Sequence, residues 1–81
     1  IIETLVEHAA RETGRDPAEL RARNMIAAFP YRSAFGMEMK DGAFAQRLAD
    51  CIAAADRAGF AARRAASEAA GRRRGFGMTS F

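Results

Sequence analysis

The sequence is poor in the residues that build metal sites and disulfides. It contains one cysteine, Cys51, and one histidine, His8. A single cysteine excludes an internal disulfide framework and a multi-thiolate zinc site, and it fits a reducing compartment. A mononuclear metal site needs three or four ligands, and the acids near His8 follow no recognised ligand spacing. We therefore expect no metal site in this chain and a cytoplasmic location.

Long apolar runs are also missing. No stretch approaches the roughly 18 apolar residues that a transmembrane helix needs. The start lacks the basic region and the long apolar stretch of a secretory leader. These absences predict that the chain has no membrane partner. Because it starts at Ile1 without a methionine and stops at Phe81 within an apolar run, we expect both ends to be cuts from a longer protein.

Lysine is nearly absent, since twelve of the thirteen basic residues are arginine, and the net charge is +3. The charge is uneven: residues 1–56 carry seven basic and nine acidic side chains, whereas residues 57–81 carry six and one. Such a basic tail can meet nucleic acid, an anionic membrane or an acidic face of its own protein. Alanine supplies much of the apolar content, so the core has to rest on a few larger residues.

The first 24 residues predict two helices joined by a tight turn. Apolar residues of the first helix recur at helical spacing, at Ile2, Leu5, Val6, Ala9 and Ala10. Gly14 follows at the position where a left-handed residue ends a helix. Asp16 then offers an N-cap carboxylate, Pro17 suits the first helical position and Glu19 stands at the third.

The rest of the chain predicts two more helices and two extended pieces. Residues 31–39 have partial alternation, which favours a strand or ordered loop that needs a neighbour to pair with. Helical spacing of Phe44, Leu48 and Ile52 predicts a third helix over residues 43–58, ended by Gly59. A fourth, alanine-rich helix is expected over residues 60–70, and residues 75–81 have the content of a strand that enters a sheet outside this chain. The fold class expected is therefore mainly α, a single module over residues 1–81.

No side chain in this pattern is predicted to do chemistry. His8 is expected to be a surface or interface histidine. Cys51 lies on the apolar face of the third helix, where a thiol packs as a small hydrophobe, away from the cationic or helix N-terminal surroundings that activate a nucleophile. Acids such as Glu3 and Glu7 are interpreted as parts of solvated faces. We therefore expect no catalytic, cofactor-binding or metal-binding residue.

The run GRRRGFG, residues 71–77, is the strongest candidate for phosphate binding. Three adjacent arginines can clamp phosphates, and Gly75 with Gly77 would let the backbone approach a ligand. A dinucleotide fingerprint, however, follows a strand and opens a helix, whereas these glycines follow a helix. Arg63 and Arg64 also lack the interleaved aromatics of a single-strand binding platform. The favoured interpretation is a helix end with arginines that compensate its dipole.

Three segments in this order resemble an internal stretch of the molybdenum hydroxylase large subunit, the family of xanthine dehydrogenase, aldehyde oxidase and aerobic carbon monoxide dehydrogenase. The segments are IETLVEHAARETGRDPAELRARNMI, FPYRSAFGMEM and GRRRGFGMTSF. The family pattern D-P-x-E-L-R-x-R-N and its later landmarks are matched by Asp16, Pro17, Glu19, Leu20, Arg21, Arg23, Asn24, Phe29, Pro30, Gly36, Gly75 and Gly77. The usual Ser-Gly-Asp turn is replaced here by Asp41-Gly42-Ala43.

The resemblance implies a connector inside a molybdopterin-binding subunit, with the cofactor loops and the catalytic base outside this segment. It also implies a parent that hydroxylates an aldehyde, an N-heterocycle or carbon monoxide with oxygen from water. Its partners would be the rest of the large subunit together with iron–sulfur and flavin subunits or domains. Arg21 and Arg23 would be available to pair with acids of that parent.

Two alternatives stay open. One is a free-standing basic helical module that binds nucleic acid through Arg63, Arg64 and the arginines at 72–74, with a steep salt dependence. The other is a protein-interaction module, a helical dimer that covers the stripe of Phe44, Leu48 and Ile52. An isolated connector would also be expected to self-associate through its exposed apolar surface.

Overall fold

The computed structural model describes residues 1–80, which form four α-helices and one small β-hairpin. The helices are α1 (Ile2–Thr13), α2 (Pro17–Asn24), α3 (Phe44–Ala54) and α4 (Phe60–Ala69). The strands are β1 (Tyr31–Arg32) and β2 (Glu38–Met39). The prediction of a mainly helical module with an extended segment near 31–39 is confirmed. Within residues 1–80, no helix has the length and the apolar character that crossing a membrane requires.

The turn between α1 and α2 follows the local signals of the sequence. Gly14 is left-handed, with φ of 65°, and its position lets backbone N–H groups of the turn reach the carbonyls of Ala10 and Arg11. Asp16 caps α2, because its Oδ1 accepts hydrogen bonds from the N–H groups of Ala18 at 2.7 Å and Glu19 at 3.1 Å. These bonds satisfy two of the donors that a helix start leaves without partners.

Residues 31–39 pair with themselves rather than with another part of the chain. Tyr31 lies opposite Met39 and Arg32 opposite Glu38 in an antiparallel hairpin. Gly36 has φ of 83°, a conformation that glycine adopts without strain, and this closes the turn. A two-stranded hairpin alone is at best marginally stable in water. The pairing partner that the extended segment requires is therefore supplied by the segment itself, since β1 pairs with β2.

The third helix is shorter than the predicted range of 43–58. It ends at Ala54, and Asp56 takes a left-handed φ of 47° before a short 3₁₀ helix, Arg57–Gly59. The Asp56 carboxylate accepts a hydrogen bond from the Gly59 N–H at 3.2 Å and pairs with Arg63. A side chain at position 59 would meet the Asp56 carboxylate and the Arg63 guanidinium, so a larger residue there would displace this pair. The sequence predicted that the helix is ended by Gly59, whereas the left-handed residue that follows the helix is Asp56, three residues earlier.

The C-terminal strand predicted near 75–81 is not formed over the described part of that range. Residues 72–80 have no regular secondary structure, and Phe81 lies outside the described residues. A strand requires a partner for its backbone groups, and the hairpin of residues 31–39 pairs only within itself. The strand prediction was therefore wrong for this chain taken alone.

The core is thin and the molecule is elongated. Ala10, Ala18 and Leu48 are the buried apolar residues of residues 1–80. The radius of gyration is 15.8 Å, with extents of 51 × 26 × 18 Å, against about 12 Å for a compact domain of this length. Large apolar side chains remain exposed at Ile1, Ile2, Leu5, Tyr31, Phe35, Met37, Phe44 and Phe76. The fold thus leaves much of its apolar surface uncovered.

Candidate functional site

Arg21 is the most connected polar residue of the described chain, although it is only 4% exposed. Its guanidinium pairs with Glu3 at 2.7 Å and with Glu7 at 2.8 Å, both on α1. It also donates hydrogen bonds to the carbonyls of Pro17 and Met78, each at 3.2 Å. One side chain on α2 therefore holds α1 on one side and the C-terminal segment on the other. A planar guanidinium with five donors suits this role.

The helical spacing of Glu3 and Glu7 explains why one arginine reaches both. Residues four apart lie one above the other on a helix face, so the two carboxylates form a single acidic edge beside α2. Ala10 and Ala18 are buried in the same part of the molecule, at 1% and 6% exposure. Their small side chains allow α1 and α2 to approach closely, which brings Arg21 within reach of the acidic edge.

Asp16 caps the start of α2 and also binds a residue that is distant in the sequence. Arg57 binds its carboxylate through both terminal nitrogens, at 2.9 and 2.7 Å. These hydrogen bonds are the main reason that the pKa of Asp16 falls to about 2; burial opposes the shift, and the N–H groups of Glu19 and Ala18 support it. Asp16 therefore ties the turn after α1 to the 3₁₀ helix before α4.

Arg57 also contacts the C-terminal segment. Its guanidinium lies 5.7 Å from the centre of the Phe76 ring, within the range of a cation–π contact. The same ring packs edge-on against Phe60, with ring centres 5.6 Å apart. Together, Asp16, Arg21, Arg57, Glu3 and Glu7 form what we call the charged joint. It connects α1, α2, the 3₁₀ helix and residues 76–78.

The charged joint has the chemistry of a structural element. Hydrogen bonding by Arg21 is the leading cause that lowers the pKa of Glu3. A carboxylate held ionised by an arginine is a poor general base at neutral pH, because its proton affinity is too low. All buried side-chain nitrogen and oxygen atoms of residues 1–80 have hydrogen-bond partners. Each side chain of the joint is also paired with an opposite charge of this chain.

One earlier expectation about these residues was wrong. Glu3 and Glu7 do not belong to a solvated face, since both bind Arg21. Arg21 pairs with acids that belong to this chain. Arg23 is exposed and forms no ion pair among residues 1–80. Sequence spacing identified the faces of α1 and α2 but not how the two helices cross, which is what decides these pairs.

The sequence candidates for catalysis do not come together in the structure. His8 is exposed, as predicted. Cys51 is also exposed, although it was expected to be packed on the apolar face of α3. The face is apolar as predicted, but nothing in residues 1–80 covers it at that point. The described part of the chain has no group of three or more His, Cys, Asp or Glu side chains that could hold a metal ion.

The arginines of the basic tail are partly used by the fold. Arg63 pairs with Asp56, and Arg64 pairs with Glu68 at 3.0 Å. Arg74 donates a hydrogen bond to the Ser67 hydroxyl at 2.9 Å. Arg72 and Arg73 are exposed, just after the C-terminal end of α4. Within residues 1–80, only these two leave adjacent guanidinium groups without an ion pair or hydrogen bond.

Two open apolar grooves border the charged joint. The α3 groove, of about 640 Å³, lies between α3 and residues 76–80 and is lined by Phe44, Leu48, Ile52, Phe76 and Met78 among others. The α1 groove, of about 500 Å³, is lined by Ile2, Leu5, Val6 and Leu20 beside the Arg21 pairs. These grooves fit apolar protein segments better than a polar metabolite, because few polar groups converge on them.

Comparison of the chain with family models, with curated proteins and with solved structures finds no match.

Proposed function

We propose that this chain is a structural connector of a molybdenum hydroxylase large subunit and carries no catalytic residue itself. The observation that carries the connector part of the proposal is the uncovered surface. The accessible area is 6598 Å², against about 4,800 Å² for a compact monomer of this mass. The excess, roughly 1,800 Å², is larger than the ~800 Å² that one partner contributes to a standard interface. An extended contact with more protein would account for it.

The distribution of polar and apolar groups supports the same role. Polar groups in the charged joint are paired within the chain, whereas the apolar faces of α1 and α3 are open. A free-standing soluble protein rarely leaves contiguous apolar patches of this kind unless they bind something. A connector inside a subunit would present them to its neighbours. We therefore assign the joint to holding the module in shape and the grooves to contact with the surrounding protein.

The identity of the parent rests on the resemblance of the three segments described above. Asp16, Pro17 and Arg21, which match the pattern D-P-x-E-L-R-x-R-N, carry the cap of α2 and the centre of the charged joint. A pattern with such a structural role would suit a connector. We assign no residue of this chain to the molybdopterin, because none matches the family motifs that bind it. In this proposal the parent works in the cytoplasm with iron–sulfur and flavin partners.

Nucleic-acid binding is the second candidate, favoured by the adjacent free guanidinium groups of Arg72 and Arg73. It requires several phosphate contacts to reach useful affinity. Three of the five tail arginines in the original hypothesis are engaged by Asp56, Glu68 and Ser67 instead. A binding assay with duplex and single-stranded oligonucleotides at low and high salt tests this candidate. Affinity weaker than millimolar at low salt would exclude it.

The experiment that tests the main proposal is a native size separation of cell extract. Each fraction is probed with an antibody against residues 14–24 and analysed for molybdenum by mass spectrometry. The proposal predicts an immunoreactive species several times heavier than the 8.8 kDa of this chain, co-eluting with molybdenum. A heavy species without molybdenum would contradict the hydroxylase parent but agree with the connector role. A species of 8.8 kDa would reject both.

A further inference from the structure

The helices of this molecule form two groups that have little direct contact with each other. In the first group α1 packs against α2, and in the second the 3₁₀ helix packs against α3 and α4, whereas contacts between the groups are sparse. Among residues 1–80, the one ion pair that joins the groups directly is Asp16 with Arg57, whose side chains are 43% and 29% exposed. Partly exposed ion pairs contribute little to stability. A further contact is needed to fix how the two groups lie.

Residues 76–80 lie between the two groups and contact both. On the side of the second group, the Phe76 ring packs edge-on against Phe60 of α4, with ring centres 5.6 Å apart. On the side of the first group, the Met78 carbonyl accepts a hydrogen bond from Arg21 of α2 at 3.2 Å. This short segment is therefore held by both groups at once.

The open pockets of the molecule show the same placement. All five residues of the segment line the α3 groove, and Ser80 lines the α1 groove as well. Phe76 and Met78 also line a third pocket, of about 320 Å³. Both groups contribute to that pocket, the first with Glu7 and Pro17 and the second with Phe60 and Ala61. The segment therefore forms a wall that the three pockets share.

The segment can leave this position without the loss of any helix. Among residues 1–80, no backbone–backbone hydrogen bond involves a residue from 73 to 80, so no regular secondary structure depends on the segment. It is joined to the end of α4 through an exposed stretch without regular secondary structure, residues 72–75. Phe76 is itself 38% exposed. Segments that are held by few buried contacts open at a low free-energy cost.

We propose that residues 76–80 act as a strap that fixes the position of α1 and α2 relative to α3 and α4. With the strap seated, the two groups form one body. With the strap released, each group keeps its helices, the groups move relative to each other, and the pockets that share the strap as a wall merge. The inference concerns contacts within the chain and does not rest on the proposed function.

The first test measures the order of the strap in the full chain by ¹⁵N relaxation. We expect backbone order parameters of Gly77, Met78 and Thr79 close to the value of about 0.85 for rigid structure, and below about 0.6 in Phe76→Ala. Phe35→Ala is the matched control, because Phe35 is fully exposed and should leave the strap unchanged. Values below about 0.6 in the parent chain would overturn the proposal.

The second test measures the coupling of the two groups by pulsed electron paramagnetic resonance between two nitroxides. The labels are attached to His8→Cys on α1 and Ala53→Cys on α3, both exposed positions, in a Cys51→Ser background without other thiols. We expect one narrow distance distribution in this background and with Phe35→Ala added. Phe76→Ala should widen it about twofold or more, with the helical circular dichroism signal unchanged. An unchanged width would overturn the proposal, as would loss of the helical signal.

Asp16→Asn distinguishes the strap from the direct ion pair. This variant weakens the pair with Arg57 and leaves the strap contacts in place, so we expect its distance distribution to stay narrow. If it widens the distribution as much as Phe76→Ala does, the ion pair couples the groups and the proposal fails. The proposal also fails if Phe76→Ala widens the distribution while the strap keeps high order parameters. The proposed function is tested separately, by the native mass and the molybdenum content.

Discussion

The two halves of this molecule are stabilised in different ways. In the first, α1 and α2 are joined by Arg21, which is buried and bonded to two carboxylates and two carbonyls. In the second, α3 presents an apolar face to an open groove, and Cys51 on that helix is exposed. The first half carries its stabilising contacts within the chain. The second half has the surface of a core that another piece of protein would complete.

This comparison indicates that a polar residue contributes more to the stability of the molecule than any apolar residue does. In most small domains, truncation of the largest buried apolar side chains is the most damaging change. Among residues 1–80, no large side chain is fully buried, and Leu48, at 9% exposure, is the one large apolar residue that is mostly buried. Arg21 holds three parts of the molecule together. We expect its loss to be the most harmful substitution.

Replacement of Arg21 by alanine should have the largest effect on stability. It leaves the Glu3 and Glu7 carboxylates side by side without a cation and removes the bond to Met78. We expect the free energy of unfolding to fall by about 2 to 3 kcal/mol, enough to unfold a marginal domain. Urea denaturation followed by circular dichroism measures this. Arg23→Ala on the same helix is the control, with a change within about 0.5 kcal/mol. If the two variants were equally destabilised, the claim that the charged joint stabilises the fold would be contradicted.

Leu48→Ala should lower the free energy of unfolding by less than Arg21→Ala does, which is the reverse of the usual order. The side chain of Leu48 faces the α3 groove, so fewer contacts are lost and little closed cavity is created. We expect a loss of about 1 to 2 kcal/mol, below the 2 to 5 kcal/mol that is common for buried leucine. The same denaturation experiment checks it. A loss above that of Arg21→Ala would mean that α3 has a closed core after all.

Asp16 allows the cap and the ion pair to be separated. Asp16→Asn keeps a side-chain oxygen for the α2 cap and weakens the pair with Arg57, so it should cost about 0.5 kcal/mol because both groups are partly exposed. Asp16→Ala loses the cap as well and should cost about 1 to 2 kcal/mol. Thermal unfolding of both variants and the parent chain gives the comparison. If the two variants are equally destabilised, the cap contributes nothing measurable.

The pH dependence of the Asp16 pair is expected to be the smallest effect. Its pKa is about 2 when folded, against 3.8 ordinarily. A carboxyl with a lowered pKa adds stability above its unfolded pKa, and that stability is lost as pH falls from about 4 towards 2. Carbon-detected NMR titration should place the Asp16 midpoint near 2 and move it upwards in Arg57→Ala. A midpoint unchanged by the Arg57 substitution would contradict the assigned cause.

Local structure of the first half was predictable from the sequence. Gly14 as a helix stop, Asp16 as a cap and Pro17 as a first helical residue depend on neighbours within four positions, and each is found as expected. The pairs of Arg21 were not predictable in this way. They join residues 14 and 18 positions apart, and the packing of two helices, which periodicity does not specify, decides them.

Prediction of the second half failed where it depended on a partner. Periodicity located the apolar face of α3 but could not tell whether anything covers it, so Cys51 was expected to be packed and is exposed. β-compatible content at residues 75–81 predicted a strand, yet residues 75–80 find none to pair with. The left-handed Asp56 has no sequence signal, since only glycine adopts this conformation freely.

The central claim is that the first half is self-sufficient and the second half is completed from outside. Residue-resolved hydrogen exchange of the isolated chain tests it most directly, because exchange reports local opening. The account predicts that amides in the hydrogen-bonded parts of α1 and α2 exchange at least about tenfold more slowly than those of α3, and that residues 75–80 are unprotected. Equal protection of α1, α2 and α3, together with protected amides at Gly77 and Thr79, would contradict it.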